Sequence, residues 1–157
     1  MHTTLILVGK TTSPHIQALT DDYAARLQHY TQFDITTIPE LKNTKSLTHE
    51  QQKTMEGEQI LRHLQPADLV VLLDEHGREL RSTEFAAWIE RKQQAGTRHI
   101  VFVVGGPYGF SDYVYRRANE QLSLSQLTFS HQMIRPFFTE QLYRAYTIIR
   151  GEQYHHE

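Results

Sequence analysis

Three of the chain's eight glycines, Gly105, Gly106 and Gly109, follow the apolar run in FVVGGPYGFSD (102–112). A glycine-rich turn after a strand is a common place for a phosphate or nucleotide to meet backbone N–H groups. The residues exclude two such chemistries. A P-loop carries Lys and Ser/Thr directly after its last glycine; here Phe110-Ser111 follows Gly109, and no lysine occurs between Gly105 and Asp112. A dinucleotide turn reads GxGxxG after the first strand; the first apolar run ends in VGKTTS, and the spacing at Gly105 is GGxxG. Two readings remain. The glycines let a central strand end in a tight turn, or they help line a pocket. Open α/β sheets bind ligands beyond the carboxyl ends of their strands. LLDEHG, VVGGPYG and LSLSQLTF would together offer backbone amides, carbonyls and a few apolar side chains there. Such a lining suits an adenine and ribose better than a polyphosphate.

The elements that must position this loop follow from periodicity. TLILVG (4–9) is a short apolar run closed by glycine and reads as a buried strand. Ser13-Pro14 supplies an N-cap and a first-turn proline, and Ile16, Leu19, Tyr23, Leu27 and Tyr30 recur at helical spacing, predicting an amphipathic helix over 14–30. FDITTI (33–38) alternates as a second strand. Thr48 and Gln51 have capping-box spacing and open a helix to about Leu64 that carries Met55, Ile60 and Leu61. DLVVLLDEHG (68–77) and HIVFVVGG (99–106) are apolar on both faces, as central strands of a parallel sheet are. Between them Ser82 is read as the cap of a helix through Phe85, Trp88 and Ile89, closed by Gly96 at C′. A short helix around Tyr113–Asn119, the segment LSLSQLTFSH, a last helix ending near Arg150 and the tail GEQYHHE complete the chain. Strands alternating with helices predict an α/β fold with a mostly parallel sheet. With no repeat, linker or low-complexity segment, one domain over 1–157 is expected.

Composition narrows the chemistry. There is no cysteine, which removes disulfides, thiolate zinc sites and a Cys nucleophile and fits a reducing, cytoplasmic setting. The start of the chain does not read as a signal peptide, and no apolar run is long enough for a membrane helix, so no membrane partner is expected. Lys plus Arg number 16 against 18 Asp plus Glu, a net charge of −2. Proteins that grip naked nucleic acid through many phosphates are usually basic. A nucleic-acid partner, if present, would meet a local basic patch or be folded into a larger particle.

ILVGK, EGEQIL, VVGGPYGF, LSLSQLTFSHQMIR and EQLYRAYTIIRGEQYHHE occur in an order and spacing that cover essentially the whole chain. In these the chain resembles the RlmH family, bacterial 23S rRNA pseudouridine N3-methyltransferases of the SPOUT superfamily. The resemblance implies helices on both faces of the sheet and a C-terminal trefoil knot, an exception to the rule that chains do not thread their own loops. It also implies a homodimer, S-adenosylmethionine bound in a bent form, S-adenosylhomocysteine as product, and no metal. The methyl acceptor would be N3 of a pseudouridine in a hairpin loop of large-subunit rRNA, on the assembled ribosome, with no DNA partner. The near-neutral composition agrees, because the particle can supply the orientation.

Carried over by position, the cofactor-binding residues are Leu73, Gly105, Leu124, Ser125, Gln126, Leu127, Thr128 and Phe129. Leu73 and Leu127 would pack on the adenine, backbone groups would read its edge, and Gly105 would permit close approach because it has no Cβ. The Ser125 and Thr128 hydroxyls equally suit local backbone bonds. Two residues depart from the family pattern: Ser130 stands where proline is usual, and Pro136 where an aliphatic residue is usual. Proline in a helix interior costs about 3 kcal/mol, so the last helix is expected to start near Ile134–Arg135 or to kink there.

Methylating an imide nitrogen requires that its proton leave and that the nucleophile be aligned. The residue types able to help are His131, Arg135, Arg144, Arg150, Tyr154 and His155. Arg144 and Arg150 equally read as a solvated face or as ion pairs with Glu140 or Glu152, and His131 as a loop cap. Because the resemblance runs through RGEQYH, Arg144, Tyr154 and His155 are the catalytic candidates. Arg144 would meet a phosphate or imide oxygen, Tyr154 would stack near the base, and His155 would touch RNA. The competing reading is a non-catalytic α/β module that binds a nucleoside or RNA.

Overall fold

The computed structural model describes residues 1–156. Strands β1 (His2–Val8), β2 (Gln32–Ile38), β3 (Leu69–Glu79), β4 (His99–Val104) and β5 (Glu120–Ser123) alternate with helices α1 (Pro14–Leu27), α2 (His49–Arg62), α3 (Ser82–Gln94), α4 (Asp112–Arg117) and α5 (Ile134–Ile149). The sheet order is β2-β1-β4-β3-β5, and every neighbouring pair is parallel. No helix among the described residues is long and apolar enough to cross a membrane.

Period-two alternation sorts the sheet's side chains into two cores. Leu5 and Leu7 join Leu27, Phe85, Ile89, Phe138 and Leu142 beneath α1, α3 and α5, whereas Ile6 and Val8 join Ile60, Val114 and Phe110 beneath α2 and α4. Phe102 lies at the centre of the first core, its ring 4.7 Å from Phe138 and 6.3 Å from Phe85. Such aromatic pairs add about 0.5–1.5 kcal/mol each beyond area burial.

The helix ends largely follow the sequence signals. Ser13 caps α1, and Thr48 and Gln51 form the reciprocal box at α2, at 3.0 and 2.9 Å. Gly96, at φ 82°, closes α3 with Thr97 N–H on Lys92 O and Gly96 N–H on Gln93 O, both at 3.1 Å, the Schellman pattern. Two expectations change. Ser82 does not cap α3: Arg81 takes the extended cap conformation and its N–H donates to the Glu84 carboxylate at 2.7 Å, leaving Ser82 as the first helical residue. In α1, which stops at Leu27, Leu19 is half exposed, and Thr20 turns inward instead, its hydroxyl satisfied by Ile16 O at 2.8 Å.

β3 runs two residues beyond the expected 68–77, and a break in register explains its length. Leu73 and Arg78 both face Leu122 of β5, so residues 74–77 arch out of the ladder. Gly77 permits this, because a Cβ there would lie 2.8 Å from the β5 backbone at Gln121 and Leu122.

After β5 the chain crosses to the end of β1 before entering α5. The Gln132 amide donates to Lys10 O at 3.2 Å and accepts from Thr12 N–H at 3.0 Å. Arg135 is 0% exposed, and its guanidinium donates to His131 O, Thr11 Oγ1 and Val8 O at 2.8–3.0 Å. Burial pushes its pKa down from the ordinary arginine value, with Glu40 opposing. α5 begins at Ile134, so Pro136 occupies the first turn, where a missing N–H costs little, and the alternative of a kink is not needed. Ser130 Oγ accepts from Met133 N–H at 3.0 Å, and its carbonyl accepts from Ile134 N–H. We expect Arg135→Ala to destabilise the fold by about 3–5 kcal/mol, since it strips one buried and two part-buried acceptors of their donors and opens a cavity; urea denaturation measures it.

Candidate active site

The three strand ends singled out by composition enclose one cavity of about 620 Å³ at the carboxyl edge of the sheet. Its walls come from the β3 arch (Leu73 to His76), the turn after β4 (Val104 to Phe110) and the chain after β5, with Lys53, Asp112 and Tyr115 at the sides. Of the eight carried-over positions, Leu73, Gly105, Leu124, Ser125, Leu127, Thr128 and Phe129 line it, as does His131, while exposed Gln126 does not. Leu73 is buried beneath the cavity, and Leu127 is 80% exposed.

The glycine turn is built differently from expectation. Neither Gly105 nor Gly106 has a positive φ; only Gly109 does, at 82°, where the chain leaves a turn closed by Gly109 N–H on Gly106 O at 3.1 Å. A Cβ on Gly105 would press on the Phe110 ring at 3.1 Å, and one on Gly106 would collide with the Glu56 carboxylate. The space beside both glycines is therefore taken by the protein's own side chains, before any ligand is considered. The two hydroxyls also part company. Ser125 Oγ accepts from Leu127 N–H at 3.0 Å, the local backbone role, but Thr128 donates across the cavity to Glu75.

Sequence reasoning missed the acidic wall. The Asp74 side chain, 8% exposed, accepts from the Tyr115 hydroxyl and from His76 N–H, the latter at 2.9 Å. Burial, reinforced by the bond to Asp74, pushes the Tyr115 phenol well up, so it stays a donor at neutral pH. The available signal was the abrupt change from VVLL to DEHG inside one extended run.

Arg144, Tyr154 and His155 do not line this cavity. Arg144 holds Glu140 at 2.7 Å and His155 Nδ1 at 3.0 Å, with its guanidinium 4.8 Å from the Tyr154 ring centre. The Tyr154 hydroxyl meets Glu140 at 3.0 Å and Tyr23 at 3.3 Å, and its ring packs edge-on to Tyr143. Burial first, then these bonds, push the Tyr154 phenol up. The three catalytic candidates thus gather into one cluster, on α5 and α1, apart from the cavity of their own chain. Arg150 lies 4.5 Å over the Tyr30 ring and donates to His29 O, the surface role rather than a pair with Glu152. Among the described residues no group of three or more His, Asp or Glu could hold a metal ion.

A family model described as "Predicted SPOUT methyltransferase" matches residues 1–155. The chain belongs to this SPOUT methyltransferase family. Curated relatives carry the name "Ribosomal RNA large subunit methyltransferase H". The Bacteroides fragilis protein is 58% identical over 157 residues, all of both chains. The Bacteroides thetaiotaomicron protein is 56% identical over the same full span, and the Christiangramia forsetii protein is 52% identical over 152 residues, 97% of each chain.

Beneath the glycine turn lies a second feature that motif reading passed over. Glu56, in EGEQIL, sits four residues before buried Ile60 on α2, is only 6% exposed, and has Oε1 without a hydrogen-bond partner among the described residues. Gln52 reaches Oε2 at 3.3 Å. Burial raises the Glu56 pKa, Glu40 adds to this, and the Gln52 bond opposes it. For an acid with a raised folded pKa the native state holds the proton more tightly. Stability from this group is then full below the ordinary carboxyl range and falls as pH rises through the folded pKa. We expect the wild-type stability minus that of Glu56→Gln to decline with pH across that window, measured by urea denaturation from pH 4 to 8; a flat difference would refute it.

Proposed function

We propose that the chain is an S-adenosylmethionine-dependent methyltransferase acting on N3 of a pseudouridine in 23S rRNA of the assembled ribosome. The observation carrying the proposal is that seven of the eight family cofactor positions converge on one cavity of about 620 Å³. That volume lies within the range of about 300–1,000 Å³ usual for small-molecule sites. The rRNA substrate is taken from the names of the full-length relatives. In this reading residues 1–157 act as a single methyltransferase domain in the cytoplasm, with neither membrane nor DNA as partner. The passage of the chain after β5 across Lys10 and Thr12 supports a trefoil knot.

The cavity fits the cofactor by its chemistry. Leu73 and Leu127 would provide apolar surface for an adenine, the turn after β4 and the chain after β5 offer backbone groups for its edge, and Asp74 and Glu75 put negative charge on the wall, which suits a cationic sulfonium. When bound, S-adenosylmethionine supplies the methyl group. The chain's own task is to align the acceptor nitrogen and exclude water. Tyr154 stays protonated, so it serves as a hydrogen-bond donor or stacking surface, and Arg144 supplies fixed charge for a phosphate or imide oxygen.

Since Arg144, Tyr154 and His155 stand apart from their own cavity, the proposal requires a homodimer in which the cluster of one copy completes the cavity of the other. Leu127, Met133 and Phe137, at 80%, 43% and 47% exposure, support it as apolar surface around the start of α5.

Two measurements test the reading. S-adenosylhomocysteine at one hundred times its dissociation constant should stabilise the protein by about 2.7 kcal/mol, seen as a raised melting temperature; no binding by calorimetry at millimolar ligand would favour the non-catalytic module. Truncation after Gly151 should leave cofactor binding intact and abolish methyl incorporation into ribosomes lacking the modification. Near wild-type incorporation would remove the tail from the mechanism.

A further inference from the structure

The molecule's lysines are not spread evenly. Of five, Lys10, Lys42, Lys45 and Lys53 follow the carboxyl ends of β1 and β2 or lie in the first turns of α2, and only Lys92 lies elsewhere, on α3. Lys10, Lys42 and Lys45 are exposed. Lys53 lines the cavity, and its ammonium pairs with Glu50 at 2.8 Å. Against these four cations the same segments carry the exposed carboxylates Glu40 and Glu50, a local excess of positive charge on a chain whose net charge is −2. The cavity itself carries Asp74, Glu75 and Asp112 against Lys53, so the excess of positive charge lies on these loops and not in the cavity.

A second observation lies on the same face. Tyr108, at the tip of the glycine turn, stacks on His49, the first residue of α2, with centroids 4.1 Å apart and planes 21° from parallel. Both rings are exposed. Lys53 is one helical turn beyond His49, so an aromatic pair and an ammonium share one edge of the cavity. Exposed aromatic faces interleaved with lysines are how proteins hold unpaired bases while contacting the adjoining phosphates.

We propose that the β1–α1 loop, the β2–α2 loop and the start of α2 form an RNA-docking face. Lys10, Lys42 and Lys45 contact phosphates, and the His49–Tyr108 stack supports an unpaired nucleotide next to the one entering the cavity. This inference rests on the proposed function. It explains how a chain of net negative charge engages a polyanion: attraction comes from the local excess of cations on one face.

The test measures binding of the full-length protein to ribosomes lacking the modification, over a series of KCl concentrations. Lys42→Glu/Lys45→Glu should weaken binding and lower the slope of log affinity against log salt by about 2, one for each lost phosphate contact. Arg91→Glu, on exposed α3, should do neither. His49→Ala should weaken binding roughly five- to hundredfold with the slope unchanged, as loss of stacking does. S-adenosylmethionine binding of every variant should match wild type. Wild-type affinity and slope for the double variant, or an equal loss from Arg91→Glu, overturns the docking face; a silent His49→Ala overturns the stacking role. If wild type itself neither binds the cofactor nor methylates ribosomes, the proposed function fails instead.

Discussion

A guanidinium taken out of water is tolerated only where its donors meet acceptors, and Arg135 shows what that demand does to the surrounding chain. Its three bonds reach one carbonyl at the end of β1, one hydroxyl three residues beyond that strand, and one carbonyl in the turn before α5. No carboxylate bonds it directly; Glu40 acts only through space. The segment that walls the cavity is therefore fastened, at its far end, to the carboxyl end of β1, an inner strand of the sheet. A hydrophobic side chain of equal size would fill the volume but would not select this register of the β5–α5 connection, because apolar contacts have no direction. The cavity's shape depends on that directional tie.

The same economy explains the glycines. In the turn after β4, neither Gly105 nor Gly106 is required by an unusual backbone angle; Phe110 and Glu56 take the space where their side chains would stand. The turn lies flat on a buried carboxyl from α2 and a ring from its own sequence. Its glycines line the cavity with backbone alone, beside the side chains of Pro107 and Tyr108. The absence of a Cβ at Gly105, read from the sequence as room for a ligand, is accounted for by the protein's own packing. Gly77 makes the matching contribution on the opposite wall by letting the β3 arch lie on β5.

Much of this was legible in the chain, for physical reasons. Doubly apolar runs such as VVLL and IVFVV have no other stable place than the middle of a covered parallel sheet, and capping residues mark helix ends by local hydrogen bonds alone. The position of Pro136 in a first turn was readable from the same rule. Illegible were features set by contacts distant in sequence. The β3 arch arises from a register shift against β5, some fifty residues later, and nothing in DEHG states its partner. Glu56 looked like one more polar residue of α2 because the turn at Gly106 that lies against it comes fifty residues later in the chain. The separation of Arg144, Tyr154 and His155 from the cavity follows from α5 packing on α1, where Tyr23 and Glu140 receive Tyr154.

The two ends of the sheet show why chemistry belongs at one of them. At the amino ends of the strands, His99 bridges Asp68 and Thr4, both at 2.8 Å, and its ring stacks 4.5 Å from His2, which meets Asp34. Polar groups there are spent on one another, and the loops entering the strands are short. At the carboxyl ends the chain leaves the sheet through long connections, the arch, the glycine turn and the crossing before α5. These keep carboxylates, backbone groups and an aromatic pair turned toward open space. A parallel sheet gathers all such exits on one edge. Arg135 ties the last of those exits to the end of β1 from inside, and the glycine turn rests on the buried Glu56 side chain, which leaves the cavity open on that edge.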